Sequence, residues 1–329
     1  MNKKLLSYGI ICLLLLSSLF VFAWGFWGHK RINNKACFTL PPEMFGFYKR
    51  HIDYITEHAV DPDKRRYSDP EEAPRHYIDL DHYNFGPHST DSIPHYWKDA
   101  VAKMTEDTLK AYGIVPWHIN VMQYRLTDAF KEGDVDRILY LSASLGHYVA
   151  DAHVPLHCSE NYNGQMTNQV GIHGFWESRI PEMFGENYDY FTGRVHFIAK
   201  PQEEAWKIVE ASFAALDSVL TFERELNKKF PQDQKYAFEQ RGATTLKVYS
   251  QEYTTAYNTM LNGMVERRMR SAIIEVGSFW YTCWVNAGSP DLSNIEHKEM
   301  SDSMKLKMKQ DEEMWMKGTL QPKGHDEDH

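Results

Sequence analysis

The hydrophobic positions of this 329-residue chain recur mainly at the spacing of an α-helix. Side chains three and four residues apart share one face of a helix, so an apolar stripe at this spacing predicts an amphipathic helix packed on a core. Such stripes run over residues 138–149, 206–220 and 260–284. They consist of Ile138, Leu139, Leu141, Leu145 and Val149; of Trp206, Val209, Phe213, Leu216 and Leu220; and of Met260, Met264, Met269, Ile273, Val276, Phe279, Trp280 and Trp284. We find no alternating strand pattern of comparable strength, and the sequence therefore predicts an all-α fold, a multi-helix bundle.

The first 23 residues have the pattern of a signal peptide for export to the periplasm or beyond the cell. Lys3 and Lys4 precede an apolar run over residues 5–22, and Val21 and Ala23 supply small residues at a cleavage position. The run is long enough that an uncleaved membrane anchor is the alternative. Because small and polar residues interrupt the run and no stop-transfer charges follow it, we favour cleavage after Ala23.

The remaining chain divides by composition into a body and a tail. Residues 24–290 contain no internal repeat and no low-complexity linker, which favours one domain. Residues 291–329 form a charged tail, with 16 charged residues among 39. Met300, Met304 and Met308 in this tail could line one short helix docked on the body. The last residues, Gly-His-Asp-Glu-Asp-His, are expected to be a solvated end rather than a loose metal site.

The charge and the cysteine count exclude some classes of protein. The net charge is −9, and it becomes −11 when the signal peptide is removed with its two lysines. A body this acidic does not attract a polyanion through its overall field, which argues against an electrostatic nucleic-acid binder. Bound metal ions would reverse the sign locally, so a phosphate-bearing substrate is still compatible. Three cysteines remain beyond the signal peptide, too few for a disulfide-stabilised scaffold.

Residues 147–177 include His147, Asp151, His157, His173 and Glu177, all of them residue types that bind zinc. His147 and Asp151 are four residues apart, and so are His173 and Glu177, which places each pair on one face of a helix. Pro155 would end the first of these helices and let the chain turn back. Because helical bundles commonly build metal sites from side chains on facing helices, this stretch predicts a metal centre in the interior.

Two further parts of the sequence could contribute ligands to the same centre. Asp61 and His76 stand fifteen residues apart, in H-A-V-D-P-D-K-R-R and P-R-H-Y-I-D. Trp24 would become the first residue of the mature chain, and His29 follows five residues later. A tryptophan side chain is no ordinary metal ligand, but the free α-amino group and the backbone carbonyl of Trp24 could bind a metal ion together. An apolar anchor is the alternative role for Trp24.

In these residues the chain resembles the superfamily that joins bacterial zinc-dependent phospholipases C with the fungal and plant single-strand-specific zinc nucleases. The resemblance covers the ligand positions from 24 to 177 in the same chain order, and it implies a mostly helical protein with three zinc ions as cofactors. It further implies three sets of ligands. These are Trp24 and His29 with a shared Asp151; Asp61, His76, His147 and Asp151 for a close neighbour of the first ion; and His157, His173 and Glu177 for the third.

The resemblance also implies hydrolysis of phosphodiester bonds. Two close zinc ions bridged by Asp151 would lower the pKa of a water between them, so that hydroxide attacks phosphorus near neutral pH. Asp61 would orient or deprotonate this nucleophile, which makes Asp61 and Asp151 the expected catalytic residues. Lys64 stands where the nucleases carry a phosphate-binding arginine and would be the third catalytic residue.

Four more side chains are candidates for binding the substrate. Arg65 and Arg66 could clamp a phosphate, although a solvated basic turn would have the same sequence. Tyr77 and Phe175 adjoin ligand positions and could line the substrate cleft, although ordinary core aromatics would look the same.

The chain mixes features of the two branches of the superfamily. The spacings from Trp24 to His29 and from Asp61 to His76 match the nucleases, whereas the phospholipases have Glu at the position of Glu177 and the nucleases have Asp. The loop over residues 158–172 is short and lacks the Gly-Gly-Asn run that the nucleases use at their base site.

We expect an exported monomeric phosphodiesterase without an obligate protein partner, and we favour slightly a phospholipase C over a single-strand-specific nuclease. Pro62 replaces an aromatic residue of the phospholipase choline pocket, which argues against phosphatidylcholine as the substrate. Alternatives from other classes are a non-catalytic secreted zinc-binding protein and a membrane-tethered interaction module.

Overall fold

The structure, a computed structural model, describes residues 25–83, 93–241, 244–317 and 325. The predicted signal peptide and the candidate ligand Trp24 lie outside the described residues. Helices predominate among the described residues, which confirms the predicted all-α class. In chain order they are α1 (Gly25–Ala36), α2 (Pro42–Arg50), α3 (Ile52–Glu57), α4 (Asp61–Arg65), α5 (Trp97–Met104), α6 (Glu106–Ala111), α7 (Val115–Glu132), α8 (Val135–Ala152), α9 (Ile172–Gly174), α10 (Ile180–Phe184), α11 (Pro201–Lys229), α12 (Gln251–Met260), α13 (Met264–Asn286) and α14 (Asp302–Lys317).

Shorter elements complete the described chain. A π-helical turn, Phe175–Arg179, links α9 to α10. The hairpin of β1 (Tyr236–Arg241) and β2 (Thr244–Tyr249) is antiparallel, with Tyr236 opposite Tyr249, and the sequence did not predict it. Turns of 3₁₀ helix lie at Cys37–Thr39, His58–Val60, Ala73–Arg75, Pro155–Cys158, Gly185–Asn187 and Gln232–Gln234. Within the described ranges, no helix is both long enough and apolar enough to cross a membrane.

The central helices α7 and α8 pack on each other and are joined by a two-residue turn. Gly133 ends α7 with a φ of 63°, a left-handed conformation that glycine adopts without steric cost. The side chain of Asp134 accepts a hydrogen bond from the Arg137 amide at 3.1 Å and so caps the start of α8. Helix α13 packs against α1, α7 and α8, while α11 packs against α7 and the Pro155–Cys158 turn.

The three predicted apolar stripes all lie in helices. Residues 138–149 belong to α8 and residues 206–220 to α11, as predicted. The third stripe is divided between α12 and α13, because Gly263 with a φ of 73° separates the two helices. All three stripes contribute to one buried core.

The cysteines beyond the signal peptide, Cys37, Cys158 and Cys283, are free and buried in this core. Burial raises the pKa of the Cys158 and Cys283 thiols to about 12 and raises the pKa of Cys37 as well. These thiols are therefore protonated and behave as small apolar side chains.

The C-terminal tail is docked on the body. Helix α14 contains Met304 and Met308 and lies against α4, as the expected short helix should, but Met300 precedes its first residue. Lys64 Nζ donates to Glu312 Oε2 at 2.6 Å, which ties the two helices together. The expectation of a solvated chain end is wrong for His325, which is only 5% exposed.

Candidate metal centre

Helices α1 and α8 bring the first candidate ligands together. His147 and Asp151 lie one turn apart on α8 and are fully buried. Helix α1 crosses α8 closely at Gly146, where an added Cβ would lie 2.1 Å from Asn33 Oδ1. Asn33 also donates to a main-chain carbonyl of α8 at 3.1 Å. This crossing stacks the ring of His29 on that of His147, with centroids 3.9 Å apart.

The first group consists of His29, His147 and Asp151. His29 Nε2 lies 3.2 Å from Asp151 Oδ1, and His147 Nε2 lies 3.1 Å from Asp151 Oδ2. Three side chains predicted from the sequence therefore converge on one buried point.

The second group lies beside the first and consists of Asp63, His76 and His147. His147 Nε2 lies 3.1 Å from His76 Nδ1 and 3.4 Å from Asp63 Oδ1. His76 Nδ1 lies 3.6 Å from Asp63 Oδ1 and 3.0 Å from Asp151 Oδ2. Asp151 thus faces the first group with Oδ1 and the second group with Oδ2.

The structure corrects the assignment of Asp61 to this group. Asp61 Oδ2 lies 2.7 Å from His58 Nδ1 and Asp61 Oδ1 lies 3.8 Å from Lys64 Nζ, on the outer side of α4. Asp63, two residues later, points inward and is only 3% exposed. The regular spacing of His58, Asp61 and Lys64 at three residues is the sequence signal that marks this outer face.

The third group, His157, His173 and Glu177, is assembled by a turn and a short irregular helix. His173 Nε2 lies 3.0 Å from Glu177 Oε2 and 3.2 Å from His157 Nε2. The predicted spacing of four residues therefore does place His173 and Glu177 together. The main-chain amide of Ile78 donates a hydrogen bond to the carbonyl of His157 at 2.9 Å, which holds this group beside the segment that follows His76.

The donor atoms of all three groups fit tetrahedral zinc. Two nitrogen or oxygen ligands of a tetrahedral zinc ion lie about 3.3–3.6 Å apart, given bond lengths of about 2.0–2.2 Å. Apart from the pair of His29 and His147, the donor separations within the groups range from 3.0 Å to 3.6 Å, at or slightly below these values. Several of these buried atoms also have no hydrogen-bond partner, which is costly unless a cation satisfies them. They are both carboxylate oxygens of Asp63 and of Glu177, Asp151 Oδ1 and both ring nitrogens of His29.

The geometry agrees with Asp151, and not His147, as the residue shared by two ions. His147 Nδ1 is engaged with the main-chain carbonyl of Ala59 at 2.8 Å, so only Nε2 remains to bind a metal. One nitrogen serves one ion, whereas the two oxygens of Asp151 face different groups.

The charges of the centre are strongly coupled. Although burial alone would lower it, Asp151 and Asp63 raise the pKa of His147 to about 10. The same contacts hold the pKa of Asp151 well below its usual range and also lower the pKa of Asp63, against the effect of burial. Burial and the neighbouring His147 lower the pKa of His29. The carboxylates are therefore charged, as metal ligands must be.

Outer contacts orient the ligand rings. Metal-binding histidines usually direct the second ring nitrogen to a carbonyl or carboxylate. His157 Nδ1 lies 2.8 Å from the carbonyl of His76, and His76 Nε2 lies 3.6 Å from Glu72 Oε1. Glu72 in turn accepts a hydrogen bond from Tyr148 and lies 3.5 Å from the Arg65 guanidinium. Glu72 was not predicted, although it lies four residues before His76 in the sequence.

The predicted basic residues have different surroundings. Lys64 contacts Asp61 and Glu312 of α14, and Arg65 is committed to Glu72, Tyr148 and Ser144. Arg66 is buried and donates a hydrogen bond to the carbonyl of His325. Arg66 therefore contacts the residue that fills the aromatic slot described next.

The two predicted aromatic residues, Phe175 and Tyr77, lie in different parts of the structure. The structure places Phe175 in the core rather than at the cleft, since its ring stacks on Tyr249 at 3.8 Å and is fully buried. Tyr77 forms one wall of a narrow slot beside the third group, and Tyr162 forms the other wall. The slot holds the ring of His325. Tyr162 and His325 were missed, because nothing in the sequence relates them to Tyr77.

Comparison with known proteins agrees with this centre. The chain matches the family model described as zinc dependent phospholipase C over residues 28–239, which is most of its length. No curated protein matches the chain. The matched residues include every described member of the three groups, from His29 to Glu177. The chain therefore belongs to the zinc-dependent phospholipase C family, a family of zinc-dependent phosphodiesterases.

Proposed function

We propose that this protein is an exported phosphodiesterase that holds three zinc ions. The observation that carries the proposal is the set of three buried donor groups with separations that fit tetrahedral zinc. The ions would be held by Trp24, His29 and Asp151; by Asp63, His76, His147 and Asp151; and by His157, His173 and Glu177.

The first ion has the fewest side-chain ligands, which supports a role for Trp24. If the single free nitrogen of His147 serves the second ion, only His29 and Asp151 remain for the first. Trp24 directly precedes α1, the helix that carries His29. An α-amino group at Trp24, released by cleavage after Ala23, would supply the missing ligand, so export and metal binding belong to the same proposal.

The residues of the chain prepare the centre for an anionic substrate. When bound, zinc supplies an activated water and stabilises charge that develops on the phosphoryl oxygens. Three ions would bring six positive charges against the three carboxylates of Asp63, Asp151 and Glu177, so a net positive site lies inside an acidic protein. Asp63 takes the role expected of Asp61, because one of its buried oxygens can accept a hydrogen bond from the attacking water.

A phospholipid is the substrate that we favour. The family match and Glu177 in the third group support it. In the sequence, the spacing of fifteen residues between Asp61 and His76 favoured a nuclease. This argument is weaker in the structure, because the candidate ligand is Asp63, which lies thirteen residues before His76.

A single-stranded nucleic acid is the second candidate, and the aromatic slot supports it. Tyr77 and Tyr162 hold a flat heteroaromatic ring between them, and Asp79 lies at the edge of that ring. Stacking between aromatic side chains together with an edge hydrogen bond is how proteins bind unpaired bases.

A side-by-side assay of the purified, zinc-loaded protein tests the proposal. Mixed phospholipid vesicles with choline, ethanolamine and serine head groups are compared with single-stranded DNA, and metal content is measured in the same samples. We expect about three zinc ions per chain and head-group release from at least one lipid. Digestion of DNA alone would support the nuclease. One zinc ion or none per chain, or full occupancy without hydrolysis of any substrate, would contradict the proposed enzyme, and the second result would identify a zinc-binding protein without catalysis.

Two further measurements address the ligands. Asp151→Ala is expected to lose two zinc ions and at least about a hundredfold in kcat/KM, because one side chain serves two ions. Near-normal turnover would refute the shared carboxylate. N-terminal sequencing of the exported protein is expected to begin at Trp24, whereas an intact leader would remove the proposed amine ligand and favour a membrane-tethered protein.

A further inference from the structure

The ring of His325, from the C-terminal tail, fills the slot between Tyr77 and Tyr162. Its centroid lies 3.8 Å from that of Tyr77 and 4.1 Å from that of Tyr162, with interplanar angles of 14° and 11°. Two rings that each stack on the same imidazole must lie on its opposite faces. His325 is therefore sandwiched, which explains why it is buried although only four residues follow it in the sequence.

Polar contacts fix the orientation of this residue. His325 Nε2 and Asp79 Oδ1 share a hydrogen bond at 2.5 Å, and the Arg66 guanidinium donates to the carbonyl of His325. Both the side chain and the main chain of His325 are thus held by residues of the body.

The slot directly adjoins the third donor group. The ring centroid of His325 lies 6.4 Å from that of His157, and the ring of Tyr162 lies 6.0 Å from that of His173. A substrate whose phosphate reaches the metal centre from this side would have to share this space with the tail.

The tail is anchored again before it reaches the slot. Ser301 contacts Asp136, Lys307 lies over the ring of Tyr140 at 4.9 Å, and Glu312 binds Lys64. Seven residues separate Lys317 from His325, and the eight steps from one Cα to the other can span at most about 28 Å. A ligand tethered this closely has an effective concentration of the order of millimolar, so even a weak contact fills the slot for much of the time.

We propose that the C-terminal tail is a built-in competitive inhibitor, in which His325 occupies the slot that substrate must enter beside the third donor group. The proposal rests on the proposed phosphodiesterase function. The slot is occupied by a residue of the same chain. Removal of the His325 ring therefore opens the slot without changing any residue of the metal centre.

The test compares the zinc-loaded full-length protein with His325→Ala and with the control His297→Ala. His297 belongs to the same tail, but its side chain is 72% exposed, so it tests for an unspecific effect of losing a tail histidine. The substrate is bis(4-nitrophenyl) phosphate, whose flat ring can enter the slot. We expect His325→Ala to lower KM about fivefold or more at an unchanged kcat, as for a site that is open only a fifth of the time in the parent protein. His297→Ala is expected to behave as the parent.

The other outcomes are also decisive. A lower kcat in His325→Ala would show that His325 assists catalysis and would overturn the proposal, and so would unchanged values of both constants. Calorimetric titration with 4-nitrophenyl phosphate, a monoester, measures access to the slot without turnover. Tighter binding of 4-nitrophenyl phosphate to His325→Ala, with no hydrolysis by any variant, would sustain the inhibitory tail and contradict the proposed activity. Equal hydrolysis and equal binding by His325→Ala and the parent protein would sustain the proposed activity and contradict the inhibitory tail.

Discussion

Asp61 and Asp63 are two residues apart and lie in opposite environments. Positions two apart are turned by about 200° around a helix, so only one of them can face the centre of the fold from α4. Asp63 lies within 3.4 Å of His147, whereas Asp61 contacts His58 and Lys64 on the outer side. The orientation of one helical turn therefore decides which carboxylate can bind metal.

This pair yields a matched test at the residue scale. Asp63→Asn is expected to reduce the zinc content by about one ion and kcat/KM at least about a hundredfold, because the amide oxygen is a poor substitute for a charged ligand. Asp61→Asn, the control, is expected to keep the metal and to change kcat/KM less than about threefold. Metal analysis and hydrolysis of bis(4-nitrophenyl) phosphate measure both. Equal losses in the two variants would count against the assignment of Asp63.

The sequence was sufficient for those site residues that are related by a helical period. His147 with Asp151 and His173 with Glu177 are four apart, so the helix alone brings each pair together. It was insufficient for Tyr162, since this residue joins the site through contacts between distant segments. Asp63 falls between these cases, because the polar face of α4 could have been recognised from the spacing of its residues.

At the scale of elements, the close crossing of α1 and α8 positions His29. Gly146 leaves room for Asn33, which hydrogen-bonds to the main chain of α8 and, at 3.4 Å, to the carbonyl of Ile55. A larger residue at Gly146 would move α1 outward and carry His29 away from Asp151.

Gly146→Ala is therefore expected to destabilise the fold and to empty the first metal position. A helical glycine replaced by alanine gains about 1 kcal/mol from helix propensity, but the contact at 2.1 Å forces a shift that costs about 1–3 kcal/mol. The control is Gly46→Ala in α2, where the nearest atom, Glu296 Oε2 at 2.8 Å, belongs to a flexible side chain. Urea unfolding and metal analysis are expected to show loss only for Gly146→Ala, and a fully metallated, equally stable Gly146→Ala would show that α1 can adapt.

Apolar periodicity predicted the long helices and missed the smallest elements. Helices α8 and α11 bury a continuous stripe, so burial imposes a pattern that the sequence displays. The two-stranded hairpin has one open face, with Phe238 76% exposed, and an open face imposes no such pattern.

At the scale of the whole molecule, the candidate ligands join several separate elements. They come from α1, α4, the segment around His76, α8 and the stretch from Pro155 to Glu177, and they all precede residue 178. Helices α11 and α13 carry no member of the three groups and are held by the apolar core. Bound zinc thus cross-links one part of the fold, whereas the rest depends on hydrophobic packing.

Removal of the metal should therefore loosen the molecule unevenly. Treatment with a chelator is expected to raise amide hydrogen exchange in residues 25–36, 58–80 and 147–177, because buried carboxylates lose the cations that satisfy them. Exchange in residues 205–225 and 266–284 is expected to change little, and restored zinc should reverse the effect. A uniform increase along the chain would instead show that zinc stabilises the fold as one cooperative unit.

The position of the chain end is a property of the whole molecule that local patterns could not predict. Residues 302–317 show the apolar spacing of a docked helix, but the ring of His325 contacts Tyr77, Asp79 and Tyr162, which are between 163 and 248 residues away in sequence. Composition suggested only a charged, solvated end, because the contacts that bury His325 are supplied entirely by the body.

The buried thiols have a consequence for where this chain can mature. Cys37, Cys158 and Cys283 are separately enclosed in the core, and their raised pKa values keep them in the unreactive protonated form. No covalent cross-link has to form or be reshuffled for the described fold to be reached. The polypeptide should consequently attain the same structure in reducing and in oxidising surroundings, so oxidant supply does not limit its production, and protein made in a reducing cytoplasm needs only a chain that begins at Trp24 to carry the proposed amine ligand.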